Sequence, residues 1–270
     1  MSNTIHMYDF YTRIMDIRYN KRKVINTLKK ICKKKIVHKK TLYSLLIRVQ
    51  EYIVCLYFDI NPLEKTNITV FLSCDTITDN QGISNVSSFD INFTENIAED
   101  DYISKYKSIS HNTNIQRHGL FNIHIILLLC RIFGVSRYII NDSSDIWNYN
   151  FVKYRKSYYQ RVGFVPLHTK KYNKAIKIIN NLTINEYKKM YYDKFQKYPD
   201  IKMLQGKKFI KSLEKLSNNS KNKNILLGSL FIDLKLVNIF DLTNLQYKFP
   251  KHKIYSENYF NAYNLQYIQK

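Results

Sequence analysis

Glycine and proline are scarce, six and four residues in a chain of 270, which excludes collagen-like repeats and a chain that is mostly linker. Cysteine is scarce too. Cys32, Cys55, Cys74 and Cys130 stand apart with no CxxC pair, so neither a disulfide scaffold nor a paired-cysteine zinc site is expected. His111, His118 and His124 have no cysteine pair near them, and no metal is expected. Asp142 and Asp145 lack a third acidic ligand close by. The long apolar run of a membrane span is missing: the stretch from Ile123 to Cys130 is interrupted by His124 and falls far short of the roughly 20 residues that cross a bilayer. No membrane partner is expected. A basic start leading into an apolar leader and a small-residue cleavage site is also absent, and with the scattered cysteines this points to a reducing, intracellular setting. Gly-x-Ser-x-Gly, P-loop and HExxH motifs do not occur, which leaves the hydrolase, nucleotide and zinc-protease chemistries they carry poorly supported.

Negative charge is the last shortage. Against 43 Lys and Arg there are 21 Asp and Glu, a net charge of +22, and such a balance favours polyanionic partners. The 23 Tyr and the abundance of Lys, Asn and Ile resemble the output of an A/T-rich genome, which supplies lysine on its own account. The distribution is more informative than the sum. Residues 1–45 carry 12 basic and 2 acidic residues, residues 46–150 carry 7 and 12, and residues 151–270 carry 24 and 7. A uniform codon bias would have coloured the middle as well, so a folded centre with two basic flanks is expected. With 45% hydrophobic and 14% aromatic residues, the chain can bury a sizeable core.

Hydrophobic periodicity predicts a helix over Lys21 to Lys35, from Val24, Ile25, Leu28, Ile31 and Cys32. It predicts a second, capped by Thr41 and running to Leu56. From Asn67 the period changes to two: Ile68, Val70, Leu72 and Cys74, then Phe89, Ile91 and Phe93, predict an antiparallel strand pair around the turn signal Asp79 to Gly82. Residues 95–114 read as polar, acidic loop. Gln116 to Gly134 predicts a helix and Val135 to Ile140 a strand, an order typical of α/β folds. Tyr149 to Arg161 predicts a helix, and Phe164-Val165 a strand limited by Pro166. Beyond residue 170 the pattern is helical: Tyr172 to Asn181, a helix capped by Thr183 with Glu186 three residues on, and Lys207 to Leu216. Ile225 to Leu242 is ambiguous. Tyr and Lys interleave from Tyr187 to Tyr198, a mixture that suits single-stranded nucleic acid and equally a helix with a Tyr core and a Lys surface.

The chemistry-bearing stretch is Ile115 to Phe164. Gln116-Arg117-His118-Gly119-Leu120 opens an apolar helix; backbone N–H groups at the positive end of a helix stabilise a diphosphate, and Gly119 has no side chain to block its approach. Arg117 and His118 add charge or hydrogen bonds. Tyr159, in Tyr158-Tyr159-Gln160-Arg161-Val162-Gly163-Phe164, offers a phenol that can protonate a departing thiolate.

This order resembles the GNAT acetyltransferase superfamily, in which a Gln/Arg-x-x-Gly-x-Gly/Ala turn after a strand opens a helix and a later helix ends in Tyr-x-x-x-Gly-Phe. Gln116-x-x-Gly119 and Tyr159-x-x-x-Gly163-Phe164 align with the two motifs, and Phe121 stands where the family has Gly or Ala. The Asp142-x-Ser144 pair after the strand is similar to uncharacterised GNAT-like proteins of large DNA viruses. The resemblance covers roughly residues 65–170.

The resemblance implies an α/β fold with a GNAT-like mixed central sheet flanked by helices, here with basic helical N- and C-terminal extensions: residues 1–62, a core over 63–170, and residues 171–270. It implies acetyl-CoA as cofactor, held by Gln116, Arg117, His118, Gly119 and Leu120, with Tyr159 as catalytic acid, in an N-acyltransferase or an inactive relative of one. The general base, in the family a glutamate on the strand before the turn, has no clear counterpart, although Glu95 and Glu99 lie upstream. A viral relative would work in host cytoplasm or virion. The alternative from the flanks is a nucleic-acid-binding or virion-associated protein.

Overall fold

The computed structural model describes residues 4–37, 40–49, 52–60, 67–73, 87–102, 118–142, 150–152, 154–202, 204–218, 234–240, 242 and 245–254. The chain is mixed α/β and divides into two compact units, Met1–Ile140 with Phe249–Lys270, and Asn141–Lys248.

In the first unit, β1 (Thr4–His6), β2 (Lys33–Val37), β3 (Lys40–Val49), β4 (Tyr52–Asp59), β5 (Asn67–Ser73), β6 (Ser87–Asn92), β7 (Ile97–Tyr102) and β8 (Arg137–Asp142) form a mixed sheet. The order is β1-β3-β4-β5-β6-β7-β8, with β2 also against β3. From β3 to β7 every pairing is antiparallel. One face carries Leu45, Ile47, Val54, Leu56, Phe58, Ile68, Val70, Leu72, Phe89 and Ile91, all buried, at the period of two that puts alternate side chains on one side. The unit's helices are α1 (Met7–Met15), α2 (Lys21–Ile31), α3 (His118–Ile132) and, near the end of the chain, α9 (Lys251–Ile254). Phe10 of α1 and Phe133, just past α3, meet Phe58 of β4 and Phe93, with ring centroids 6.0–6.4 Å apart. On the opposite face Val37, Leu42, Cys55 and Tyr57 make a smaller buried cluster.

The second unit holds α4 (Tyr158–Val162), β9 (Val165–Pro166), α5 (Thr169–Asn181), α6 (Ile184–Phe195), α7 (Phe209–Asn218), α8 (Leu236–Ile239) and β10 (Leu245–Phe249). β9 and β10 pair antiparallel, Tyr247 opposite Pro166. The expected cap of α6 is present in full: Thr183 Oγ1 accepts from Glu186 N, and Glu186 accepts from Thr183 N. Its core is built from Tyr187 and Phe209, stacked with centroids 4.0 Å apart, with Tyr191 beside them.

Several expectations hold: the β5–β6 antiparallel pair, the long helix and strand over residues 118–142, and helices over 169–181 and 209–218. The helix expected from Thr41 to Leu56 does not. Residues 41–49 and 52–56 lie in β3 and β4, paired from Leu42↔Asp59 to Val49↔Tyr52. Both faces of these strands are largely apolar, so the run satisfies helical spacing by accident. The first helix stops at Ile31 and its lysine-rich end continues as β2. The segment expected as loop after residue 95 contains β7, held by neighbours on both sides. Backbone pairing outweighs the poor strand propensity of Glu99, Asp100 and Asp101. The helix expected from Tyr149 to Arg161 is broken at Arg155, whose φ is +57°, and restarts after the Ser157 cap. The turn expected at Asp79 to Gly82 lies outside the described residues.

Candidate functional site

The site begins with a strand–helix–strand unit. β7 runs parallel to β8, with Ile97 opposite Arg137, Ala98 opposite Tyr138 and Glu99 opposite Ile139, and α3 is the crossover between them. Residues 123–130 of α3 are buried throughout. The helix is pinned near its start by Asn122, whose Nδ2 donates to Ser87 Oγ of β6 at 2.9 Å, both side chains buried. Its far end is closed by Gly134 at φ +71°, with Val135 N donating to Cys130 O at 2.8 Å. A side chain at Gly134 would be strained by that φ, and its Cβ would come within 3.3 Å of Arg18 Cδ. Ser136 donates through both N and Oγ to Asn96 O, at 2.8 and 2.9 Å, tying the entrance of β8 to the β6–β7 turn. With both ends fixed to the sheet, the direction of the α3 amino terminus is fixed as well.

Of the expected diphosphate cradle, His118, Gly119 and Leu120 are the first three residues of α3; Gln116 and Arg117 lie outside the described residues. The first four N–H groups of a helix have no intrahelical acceptor, and they carry the positive end of the macrodipole. Glu99, one of the two upstream acids, sits on β7 and is exposed. Glu95 lies instead in the turn before it, where its N–H donates to Asn92 Oδ1 at 3.0 Å. The strand carrying Glu99 was masked in the sequence by its own acids. Asn92, which caps the turn, and Asn96, at φ +54°, were the signal that a hairpin, not a long loop, begins there.

Tyr159 belongs to the second unit. Ser157 opens α4 with a capping box, its Oγ accepting from Gln160 N at 3.2 Å while its own N donates to Gln160 Oε1 at 2.9 Å. Gly163 closes the helix at φ +111°, and Phe164 N donates to Tyr159 O at 3.1 Å. The Gly-Phe of the motif is thus a left-handed C-cap that folds Phe164 back onto the Tyr159 ring, 5.8 Å between centroids. Tyr158 and Tyr247 flank the same ring at 5.6 and 5.8 Å, and Tyr159 is half-buried. Tyr172 Oη donates to Gln160 Oε1 at 2.6 Å. Burial, helped by Tyr247 and Asp142, pushes the Tyr172 phenol above its ordinary range. Arg161 lies 3.8 Å over the Tyr154 ring and donates to Asn150 Oδ1 at 3.3 Å.

The interleaved Tyr and Lys of α6 separate by depth. Tyr187 and Tyr191 are buried, while Tyr192 and Tyr198 are exposed and stacked on each other at 4.8 Å. Among the described residues no three His, Cys, Asp or Glu side chains gather to hold a metal ion, and no helix is long and apolar enough to cross a membrane. Burial pushes the Cys32 thiol up to about 12 and raises those of Cys55 and Cys130, which disfavours their reactive thiolates. No protein-family model, curated protein or solved structure matches the chain.

Proposed function

We propose that the chain is a GNAT-like protein, an acetyl-CoA-dependent N-acyltransferase or an inactive relative of one. The observation that supports this most is the unit β7–α3–β8: an antiparallel meander ends in a parallel strand pair whose crossover helix begins at His118-Gly119-Leu120. The residues present fit an anionic cofactor, since a helix first turn offers free N–H donors and Gly119 carries no side chain in their path. His118, Gly119 and Leu120, with Gln116 and Arg117 just ahead, would hold the diphosphate. Bound acetyl-CoA supplies an acyl group activated as a thioester. Glu99, exposed on the strand that leads to this helix, is the base in this reading and takes the proton of the attacking amine. Tyr159 is the acid, its phenol holding the proton that a thiolate leaving group needs; its role rests on the Tyr-x-x-x-Gly-Phe motif.

Calorimetric titration of the full chain with acetyl-CoA tests the cradle. Saturable binding is expected, tightened when Phe121→Gly removes a ring from the first turn. Silence of both proteins at millimolar ligand ends the proposal. If binding is seen, release of free thiol in the presence of amine acceptors tests the chemistry. Tyr159→Phe and Glu99→Gln are each expected to slow it by about 10²-fold or more with binding unchanged, as loss of a general acid or base does. Binding without turnover in the parent chain identifies the inactive relative.

A further inference from the structure

The twenty residues from Lys21 to Lys40 contain ten Lys and Arg and no Asp or Glu, and residues 21–37 of them fold as one corner, α2 followed directly by β2. On α2 the buried side chains are Val24 and Leu28; Arg22, Asn26, Lys29 and Lys30 are exposed and fall on one helical stripe. Lys34 of β2 is exposed too and continues it around the corner, whereas Lys33, paired with Ser44, lies on the other face of the sheet. Lys29 Nζ lies 5.8 Å over the Tyr43 ring, and Lys34 is the cross-strand partner of that same Tyr43, so the helix and strand cations converge. Among the described residues the segment makes one ion pair, Lys40 with Asp59 at 4.0 Å. At the other end of the stripe, immediately before the Asn20 cap, Tyr19 is 82% exposed with the Arg18 guanidinium 4.8 Å over its ring.

Three structural explanations fall short. Lysines on an edge strand discourage edge-to-edge pairing, which accounts for β2 and not for α2. Cations in a last helical turn favour the macrodipole, which accounts for Lys29 and Lys30. The first turn of α2 has no acid and holds Lys21, Arg22 and Lys23, where the dipole opposes them. Codon bias fails because residues 46–150 carry 7 basic and 12 acidic residues. The arrangement costs stability, and an anionic partner would offset that cost. A track of cations about 16 Å long, the rise of an eleven-residue helix, ending in an exposed aromatic ring, is what a nucleic-acid single strand engages, backbone on the cations and a base on the ring.

We propose that this α2–β2 corner, Tyr19 with Arg22, Lys29, Lys30 and Lys34, binds single-stranded nucleic acid. The inference is independent of acyl transfer and stands if that reading fails. The test is fluorescence anisotropy of a labelled oligothymidylate with the full chain over a range of salt. Replacing Arg22, Lys29, Lys30 and Lys34 together by Gln should lower the log–log salt slope by about 3 and weaken binding on the order of hundredfold near 0.1 M salt, as loss of four phosphate contacts on a single strand does. A second quadruple variant, Lys170, Lys171, Lys174 and Lys177 to Gln on the exposed face of α5, removes the same charge elsewhere and should cost less than about threefold. Tyr19→Leu should cost about fivefold or more. Equal losses in the two quadruple variants would show binding by net charge alone and overturn the proposal. So would absence of binding at low salt, equally tight binding of a duplex with Tyr19→Leu silent, or binding only to phosphatidylserine vesicles.

Discussion

The two units solve the problem of an aromatic core in different ways. In the first, Phe10, Phe58, Phe93 and Phe133 meet edge to face or tilted, and contact alone satisfies every atom of those rings. In the second the core leans on buried tyrosines, Tyr172, Tyr187, Tyr191 and Tyr247, beside Phe151, Phe164 and Phe209, and each phenol needs a partner: Tyr187 Oη donates to Leu234 O at 2.8 Å and Tyr172 Oη to Gln160 Oε1. A phenylalanine hub tolerates rotation of its neighbours. A tyrosine core requires that an acceptor be in one place, and so it fixes loop positions as well as helix packing. The difference gives the second unit specificity at the expense of vulnerability, since an unmatched buried oxygen costs more than a missing contact gains.

The comparison is most forcefully broken at Phe133, the ring that touches Phe10, Phe58 and Phe93. Phe133→Ala leaves a cavity at the centre of the hub and is expected to cost about 4 kcal/mol. Because the chain has two units, a single melting curve is a poor measure; loss of hydrogen-exchange protection in the amides of β4 and α3 is the appropriate one. Retention of protection there would show that the hub is not what holds α3 to the sheet.

The next largest effect comes from the buried titratable imidazole of the first unit. His124 is buried on α3, and desolvation lowers its pKa to about 4 from an ordinary value of 6.5. A depressed histidine favours the fold while neutral, so its contribution is complete above about pH 6.5 and is lost as the pH falls toward 4. The difference corresponds to on the order of 3 kcal/mol. Exchange protection of α3 should therefore fall across that window, and His124→Leu should flatten the fall. An unchanged pH profile in the variant would assign the acid sensitivity to carboxylates.

The sequence made legible what depends on local chemistry. The Thr183–Glu186 box, the Gly134 closure of α3 and the alternation in β5 and β6 all have short-range signatures, and all are present. It failed where neighbours distant in the chain decide. β3 and β4 read as a helix because strands apolar on both faces lose their alternation, and β7 read as loop because its acids conceal a strand set between β6 and β8. For the candidate site the consequence is specific. The motif around Gly119 was visible, but the strand that brings Glu99 to the same unit was not, and without β7 the parallel pairing that gives α3 its crossover could not be inferred. The α2–β2 corner was half visible: the lysines were plain, yet those from Lys33 to Lys35 read as the end of the first helix until β2 gave them an edge.

The smallest change tests the comparison most directly. Tyr187→Phe removes one oxygen and keeps the ring stacked on Phe209, so the bond to Leu234 O is lost while the stack remains. If the second unit depends on matched phenols, the substitution should cost about 1.5 kcal/mol, because a buried carbonyl loses its donor, and exchange should quicken around residues 234–239 and in α6 together. If the ring stack is what matters, as in the phenylalanine hub, the variant will match the parent within about 0.5 kcal/mol. Tyr187→Leu separates the two further. It removes both ring and hydroxyl and should exceed Tyr187→Phe by the apolar area lost plus a stacking contribution of about 1 kcal/mol. A larger excess would mean that the two cores are held in the same way after all.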